Sequence, residues 1–486
     1  MNLSLFIPEI ALAITAVLVI LLDLFIRQKY VMRYLSLAGL VVAGVFSFIM
    51  WGDNNPAAFN NMLAADNFAV FFKLLFLGIA FLVILASADY ESKFANFRSE
   101  YYALILLSTT GMMLMSAAAD LISLYIALEL TSISLYVLVS LLKDKKSTEA
   151  ALKYLLLGAI ASAVLLYGMA LVFGATGETQ LAAIAQSLQT MTDSTPLGNP
   201  ALYMGIVLMI AGFGFKIAAV PFQMWVPDVY EGAPTTITAY LSVGSKAAGF
   251  AIILRTFFTA FGEPFTISHD WGIIFAVMAV ISMIIGNMAA IPQTNIKRML
   301  GYSSIAQAGY LMVGLATFGL AMPATALGES GLLFFLVSYA LTNLGAFTAI
   351  IIISNKINSD TIADYAGLGR RSPLLALGLT FCMVSLIGIP PAAGFMAKFY
   401  IFSQAAQHGL LWLVIIATIN SVISAYYYLR VVKVMWFNEA ASTEKVPSSA
   451  APGIALALCC IGVLLLGVMP GLLMRLAEIA SSIFTF

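Results

Sequence analysis

Long apolar runs, separated by short polar connections, dominate the hydropathy pattern of this chain. About 20 consecutive apolar residues are enough for a helix to span the hydrocarbon core of a bilayer, at about 1.5 Å per residue. The pattern therefore predicts an all-α integral membrane protein of ~14 transmembrane helices. These segments lie near residues 4–26, 33–52, 67–88, 102–119, 121–142, 150–174, 201–222, 235–261, 271–291, 299–319, 330–354, 372–406, 409–437 and 450–476. The opening residues, MNLSLFIPEI, have no basic stretch or small-residue cleavage site, so we expect them to begin the first helix.

Composition limits the chemistry that this chain can perform by itself. It is 62% hydrophobic and 9% charged, and no soluble domain of 486 residues can bury that much apolar surface. The formal net charge of zero argues against a nucleic acid partner and leaves the lipid bilayer as the expected surroundings. Three cysteines without a CxxC pair, two histidines and no nucleotide-binding glycine motif give no sign of a metal, haem or nucleotide site. We therefore expect this chain to bind no cofactor.

Basic residues concentrate in alternate connections between the predicted helices. By the positive-inside rule, the odd-numbered connections face the cytoplasm and both termini face the outer side. The seventh connection breaks this pattern, because it carries Asp228 and Glu231 but no basic residue. The basic residues in or close to the odd-numbered connections are Arg27, Lys29, Arg33, Lys93, Arg98, Lys143, Lys145, Lys146, Lys297, Arg298, Lys356, Arg370, Arg371, Arg430, Lys433 and Lys445.

Two of the apolar segments contain helix-breaking residues. In the seventh, Lys216 is followed by Pro221, and in the twelfth, Pro390, Pro391 and Gly394 precede Lys398. Proline removes a backbone donor, and in lipid the freed carbonyls must find protein or water. A matched pair of broken helices in the two halves of a transporter indicates an ion pathway and an inverted repeat. Two unrelated proline kinks are the alternative.

Ionisable side chains inside the apolar segments are the other unusual feature. A charge at mid-bilayer costs roughly 2.5–3.5 kcal/mol on insertion scales, so such a residue is a candidate functional site by default. Lys216 has no acid within ten residues on either side, and Lys246 also lies in mid-segment. With Lys398 they form a set of titratable groups with almost no other polar chemistry, which favours the movement of protons or cations. For Lys216, snorkelling of its amine to the interface is the alternative.

The remaining candidates have stronger structural alternatives. Glu129 either modulates the charge of a neighbouring lysine or makes a structural hydrogen bond between helices. Glu149 and Lys153 are spaced i,i+4, so a plain helical ion pair at the membrane edge is an alternative to a functional role. Lys73 lies seven residues into its segment and can snorkel outward to the interface, so we assign it no functional role.

Four motifs resemble the antiporter-like membrane subunits of respiratory complex I, the NADH–quinone oxidoreductase. They are KIAAVPFQMWVPDVYEGAPT at Lys216–Thr235, QTNIKRMLGYSSIAQAGYL at Gln293–Leu311, ALE at Ala127–Glu129 and GIPPAAGFMAKF at Gly388–Phe399. The form WxPDVYxGAP at Trp225–Pro234 is similar to the subunit N group within that family. The resemblance covers essentially the whole chain.

This resemblance implies a fold, a set of site residues and partners. The fold has fourteen helices in two inverted five-helix repeats, with helices 7 and 12 broken. The units are 1–101 (helices 1–3), 102–261 (first repeat), 271–437 (second repeat) and 450–476 (last helix). Matching positions assign Glu129, Lys216, Lys246 and Lys398 to a mid-membrane proton axis, and Glu149 and Lys153 to the pair that begins helix six.

The implied role is proton pumping in the inner (cytoplasmic) membrane, next to other complex I subunits that include another antiporter-like chain. NADH, flavin, iron–sulfur clusters and quinone would bind to the other subunits. Many family members have histidine where this chain has Gln223 and Gln307, and glutamine cannot carry a proton charge near pH 7. The link from Lys216 to Lys246 is therefore expected to run through water and hydroxyls, with Ser242 and Ser245 as candidates.

Three alternatives use the same residues differently. A subunit of an Mrp-type Na⁺/H⁺ antiporter or of a membrane-bound hydrogenase shares the expected fold. A stand-alone transporter of an organic solute needs a mixed polar pocket that the sequence does not suggest. In a purely structural subunit, the lysines would be inert.

Overall fold

The computed structural model describes residues 3–26, 28, 30–52, 55–58, 61–190, 199–263, 265–320, 326–439 and 444–484. Arg27 and Lys29, two basic residues of the first connection, lie outside the described residues. The α-helices are α1 (Ile7–Asp23), α2 (Val31–Ile49), α3 (Asn67–Ala86), α4 (Arg98–Ala117), α5 (Leu121–Val139), α6 (Lys145–Thr176), α7 (Leu181–Thr190), α8 (Pro200–Ile217), α9 (Val226–Gly232), α10 (Thr235–Tyr240), α11 (Lys246–Ala260), α12 (Phe265–Ala290), α13 (Ile296–Leu320), α14 (Ala326–Ile357), α15 (Leu368–Arg371), α16 (Pro373–Ile387), α17 (Ala393–Gln407), α18 (Leu411–Phe437), α19 (Ala450–Val468) and α20 (Gly471–Ser481).

Each of the fourteen predicted segments overlaps at least one of these helices. Among the described residues, eleven helical spans are long and apolar enough to cross a membrane. The other three predicted segments depart from that standard for identifiable reasons. Helix α1 has 17 residues, α4 begins with Arg98 and Glu100, and the twelfth segment is divided between α16 and α17.

Several helices begin at side chains that accept a hydrogen bond from the first turn. Asp66, Asp120, Asp144 and Asn199 cap α3, α5, α6 and α8 in this way. Such caps satisfy backbone donors that have no partner within the helix. Short polar connections are therefore enough to fix where these membrane helices start.

Both predicted helix breaks are confirmed. Helix α8 ends at Ile217, Ala218 adopts φ +63°, and the helix resumes as α9. Helix α16 ends at Ile387, Gly388 adopts φ +93°, and the helix resumes as α17. Each break contains a cis proline, at Val220–Pro221 and at Pro390–Pro391. The left-handed residues end the helix ladders and leave backbone carbonyls free for other partners.

Two elements differ from the sequence-based expectation. The predicted 235–261 helix is interrupted by a π-helical turn at Leu241–Ser245, which separates α10 from α11 just before Lys246. The connection between the predicted segments 150–174 and 201–222 contains α7, because Leu181, Ile184 and Leu188 recur at helical spacing and are buried. Residues 191–198 of that connection lie outside the described residues. A short antiparallel pair, β1 (Asn55–Ala58) and β2 (Leu63–Ala65), precedes α3.

Burial identifies the interior of the helix bundle. In the apolar stretch within Thr235–Ala260 every residue is buried, and in the apolar stretches of α13 and α14 89% of the residues are buried. By contrast, only 28% of the residues are buried in the apolar stretches of α6 and α19, so most of their apolar side chains are exposed. Side chains on α11, α13 and α14 are therefore shielded from lipid by the surrounding helices.

Candidate functional site

Lys216 lies in the last turn of α8 and is 5% exposed. Its ammonium donates to Ser132 Oγ of α5 at 2.9 Å. The apolar residues around it and the break that follows keep it in the protein interior. The structure does not support snorkelling of this lysine to the interface.

Glu129 lies one turn before Ser132 on α5 and is half-buried. Its carboxylate accepts a hydrogen bond from Ser162 of α6. Ser132, Ser162 and Lys216 line one cavity of about 10 Å³, which is about the volume that one water molecule needs. Among the described residues, Glu129 and Lys216 do not form an ion pair, and each bonds a different serine of this cavity.

Lys246 follows the π-helical turn and is 3% exposed. It donates to the backbone carbonyl of Ser304 on α13 and to Ser304 Oγ, the latter at 2.6 Å. The Ser304 hydroxyl also lies 3.1 Å from the hydroxyls of Tyr230 and Tyr339. Because neutral oxygens are its partners, the ammonium of Lys246 has hydrogen bonds but, within the described residues, no counter-charge.

Lys398 lies in α17 just after the second break and is 6% exposed. It donates to the carbonyl oxygens of Leu386 at 3.1 Å and Ile387 at 2.8 Å, and to Ser421 Oγ of α18 at 2.9 Å. The two carbonyls belong to the last turn of α16, where no helical donor remains to bind them. The negative end of the α16 dipole also favours a cation there. The break thus creates the binding site of Lys398.

The two glutamines have different surroundings. Gln307 Nε2 donates to the Leu386 carbonyl at 3.2 Å, so it shares an acceptor with Lys398. Gln307 lies three residues after Ser304 on α13, and residues at this spacing are neighbours on a helix surface. The amide oxygen of Gln223, in the first break, is buried without a hydrogen-bond partner among the described residues.

The side chains of the serines expected to join Lys216 to Lys246 are not among the hydrogen-bond partners of either lysine in the described residues. Ser242 donates to the Ala239 carbonyl at 2.8 Å and accepts from Asn343 of α14 at 2.7 Å. Ser245 is also buried. In the part of the chain that the structure describes, no direct hydrogen bond joins these serines to Lys216 or Lys246.

Glu149 and Lys153 belong to a separate, partly exposed cluster. Lys153 lies 2.9 Å from Glu149 and 2.8 Å from Asp228 of α9. Asp228 also pairs with Arg298 of α13 at 2.7 Å. Although partial burial opposes ionisation, the hydrogen bonds from Lys153 and Arg298 hold the pKa of the Asp228 carboxyl below its usual range. The structure therefore does not bring this pair into direct contact with the three buried lysines.

Lys73 does not take the outward position that its place in the sequence allows. Lys73 is fully buried and pairs with Glu9 of α1 at 2.7 Å, so the acid from another helix replaces solvent. A second buried pair, unanticipated from the sequence, joins Arg255 of α11 to the capping Asp66 through two bonds of 2.8 Å. Both pairs join helices far apart in sequence, which no local spacing reveals.

Several partners of the lysines were missed by sequence reasoning. Ser132, Ser304 and Ser421 accept from the three lysines, and Ser162 donates to Glu129. Isolated serines within apolar helices are the only local signal, and it is weak because serine often bonds its own helix. In the described ranges, no group of three or more His, Cys, Asp or Glu side chains can hold a metal ion.

Residues 118–424 match the family described as NADH:quinone oxidoreductase/Mrp antiporter, transmembrane. A chain named NADH-quinone oxidoreductase subunit N from Dehalococcoides mccartyi is 48% identical over 482 residues, with 99% of each chain covered. A chain of respiratory complex I from Thermus thermophilus is 32% identical with a TM-score of 0.79, covering 97% of this chain and all of that one. A chain of the archaeal membrane-bound sulfane sulfur reductase is 26% identical with a TM-score of 0.88, covering 100% and 98%. The fold is therefore that of the antiporter-like membrane subunits.

Proposed function

The chain belongs to the NADH-quinone oxidoreductase subunit N family, and from this premise we propose that it pumps protons within an NADH–quinone oxidoreductase of the inner (cytoplasmic) membrane. Electron transfer takes place in other subunits, which bind NADH, flavin, iron–sulfur clusters and quinone. This chain converts the released energy into proton movement. Its partners are the other membrane subunits, including another antiporter-like chain, and both of its termini face outward.

One observation carries this proposal. Lys216, Lys246 and Lys398 are each more than nine-tenths buried and, among the described residues, each donates only to neutral oxygens. A buried ammonium without a counter-ion is costly, so nearby charges decide whether the amine keeps its proton. Purely structural buried charges are normally paired, as Lys73 is with Glu9. The three lysines are therefore suited to accept and release protons.

The contacts of Glu129 and of the three lysines support one proposed route for the proton. Glu129 controls the charge of Lys216 across Ser162, Ser132 and the cavity that they line. The proton then passes from Lys216 through water to Lys246. From Lys246, Ser304 leads along α13 to Gln307, whose acceptor is also that of Lys398. Lys398 releases the proton outward past Ser421, while Glu149 and Lys153 act at the cytoplasmic side.

We also propose how the chain divides. Residues 1–101 form the N-terminal unit, 102–261 and 271–437 form two inverted repeats, and 450–476 form the last helix. In support, each proposed repeat contains one broken helix, α8–α9 or α16–α17, and each break adjoins a buried lysine. Such paired breaks at mid-membrane are typical of transporters built from inverted repeats.

The test replaces Lys246 with methionine in the assembled complex. Quinone-linked NADH oxidation and proton uptake are then measured in inverted membrane vesicles. The matched control is Lys356→Gln, because Lys356 is a partly exposed lysine paired with Glu444 at 3.5 Å. We expect Lys246→Met to abolish or strongly reduce the protons moved per NADH, and the control to behave as the unmodified complex. Full pumping by Lys246→Met would overturn the proposal, and pumping that requires Na⁺ would favour cation antiport.

A further inference from the structure

The short helix α9 is held on two sides by one carboxylate. Asp228 lies 2.8 Å from Lys153 Nζ of α6 and 2.7 Å from Arg298 Nη1 of α13. Glu231, one turn later on α9, reinforces the second contact at 3.2 Å from Arg298. Helices α6 and α13 lie in different proposed repeats, so α9 connects the two halves at the end of the first break.

Trp225 connects α9 to the buried lysine. It immediately precedes α9, and its indole N–H donates to the carbonyl of Phe215 at 3.1 Å, the residue before Lys216. Its ring stacks on Tyr154 with centroids 4.5 Å apart and planes 17° apart. Tyr154 follows Lys153 in α6 and lines the cavity of Lys216. Two consecutive residues of α6 therefore contact this region. Lys153 pairs with Asp228 of α9, and Tyr154 stacks on Trp225, which binds the end of α8.

We propose that Asp228 is a positioning residue for Lys216. By joining α9 to α6 and α13, it fixes Trp225 and, through Trp225, the last turn of α8. A displacement of α6 or α13 then moves the α8 terminus relative to Ser132, the acceptor of the Lys216 ammonium. The inference rests on the proposed function, since positioning Lys216 matters only if Lys216 handles protons.

A solvated surface ion pair is the simpler interpretation of the Asp228 contacts. Isolated exposed pairs contribute little, because solvent screens them and both side chains lose freedom. Asp228 differs because its two oxygens are divided between cations from two helices, and because it lies on a short, seven-residue helix. Loss of its charge therefore weakens the contacts of α9 with both neighbouring helices at once, although Glu231 and the buried Tyr230 still contact α13.

The test compares backbone hydrogen exchange with pumping in the assembled complex. Asp228→Asn keeps the size of the side chain and removes its charge, whereas Asp228→Glu keeps the charge. Arg298→Gln removes the contact to α13 and serves if Asp228→Asn fails to assemble, and Lys356→Gln is the control. We expect Asp228→Asn to speed exchange about two- to tenfold in residues 213–217 and 226–232, and to lower the protons pumped per NADH. Asp228→Glu should restore both quantities at least in part.

Two results would overturn the inference. Reduced pumping with unchanged exchange would mean that Asp228 acts by its charge and not by position. Faster exchange with full pumping would mean that it only stabilises α9. A parallel measurement on Lys216→Ala separates this inference from the proposed function. If Lys216→Ala pumps fully, the proposed function fails. If Lys216→Ala loses pumping while Asp228→Asn pumps fully, only the role of Asp228 is removed.

Discussion

Gln307 and Lys398, on different helices, donate hydrogen bonds to the same carbonyl oxygen, that of Leu386, at 3.2 and 3.1 Å. This acceptor is available because α16 ends at Ile387. The glutamine comes from α13, where Ser304 binds Lys246. The Leu386 carbonyl at the second helix break therefore links Gln307, on the proposed route from Lys246, to Lys398, the last lysine of the proposed axis.

Gln307→Leu should slow proton transfer between Lys246 and Lys398. The substitution removes a hydrogen bond of ~1 kcal/mol, and we expect about fivefold slower proton transfer if this step limits pumping. Gln307→His should retain activity, because an imidazole N–H can also donate to the Leu386 carbonyl. Pumping per NADH in vesicles is the measurement. Unchanged pumping by Gln307→Leu would exclude Gln307 from the route.

Glu129 should affect pumping through its charge. We expect Glu129→Gln and Glu129→Ala both to lower pumping, because either removes the negative charge that favours a protonated Lys216. Ser162→Ala should have a smaller effect, since it removes a hydrogen bond to Glu129 but leaves the carboxylate. The measurements are pumping stoichiometry and turnover in the assembled complex. If Glu129→Ala leaves both unchanged, Glu129 does not control Lys216.

Gly394→Ala should disrupt the second break. A Cβ atom at this position would overlap the carbonyl oxygen of Ser385, and a backbone atom cannot move aside cheaply. The matched control is Gly174→Ala in α6, where a Cβ meets nothing within 4 Å. In a helix interior alanine is favoured over glycine by roughly 0.5–1 kcal/mol. We expect the control to be as stable as the unmodified chain or more so, and Gly394→Ala to lower the thermal stability and yield of the complex. Equal stability of the two variants would contradict the packing at the break.

Local sequence signals predicted the helices, the two breaks and the three buried lysines, because apolar run length, proline and an isolated charge each have a direct physical meaning in lipid. The π-helical turn before Lys246 has no proline or comparable marker, and it was not predicted. The partner of Lys73 was not predicted either, since Glu9 belongs to another helix. Long-range pairings of this kind depend on how the helices pack. The residue roles carried over from the family resemblance remain predictions.

Lys216→Ala in the native complex is the measurement that tests the central claim most directly. Assembly, quinone-linked NADH oxidation and proton pumping in membrane vesicles are scored together, so that a failure to assemble is not mistaken for a failure to pump. We expect an assembled complex that has lost pumping, because alanine removes the amine that Ser132 binds and nothing else in the first break can carry its proton. Full pumping by the assembled Lys216→Ala complex would contradict the account and leave this chain a structural role.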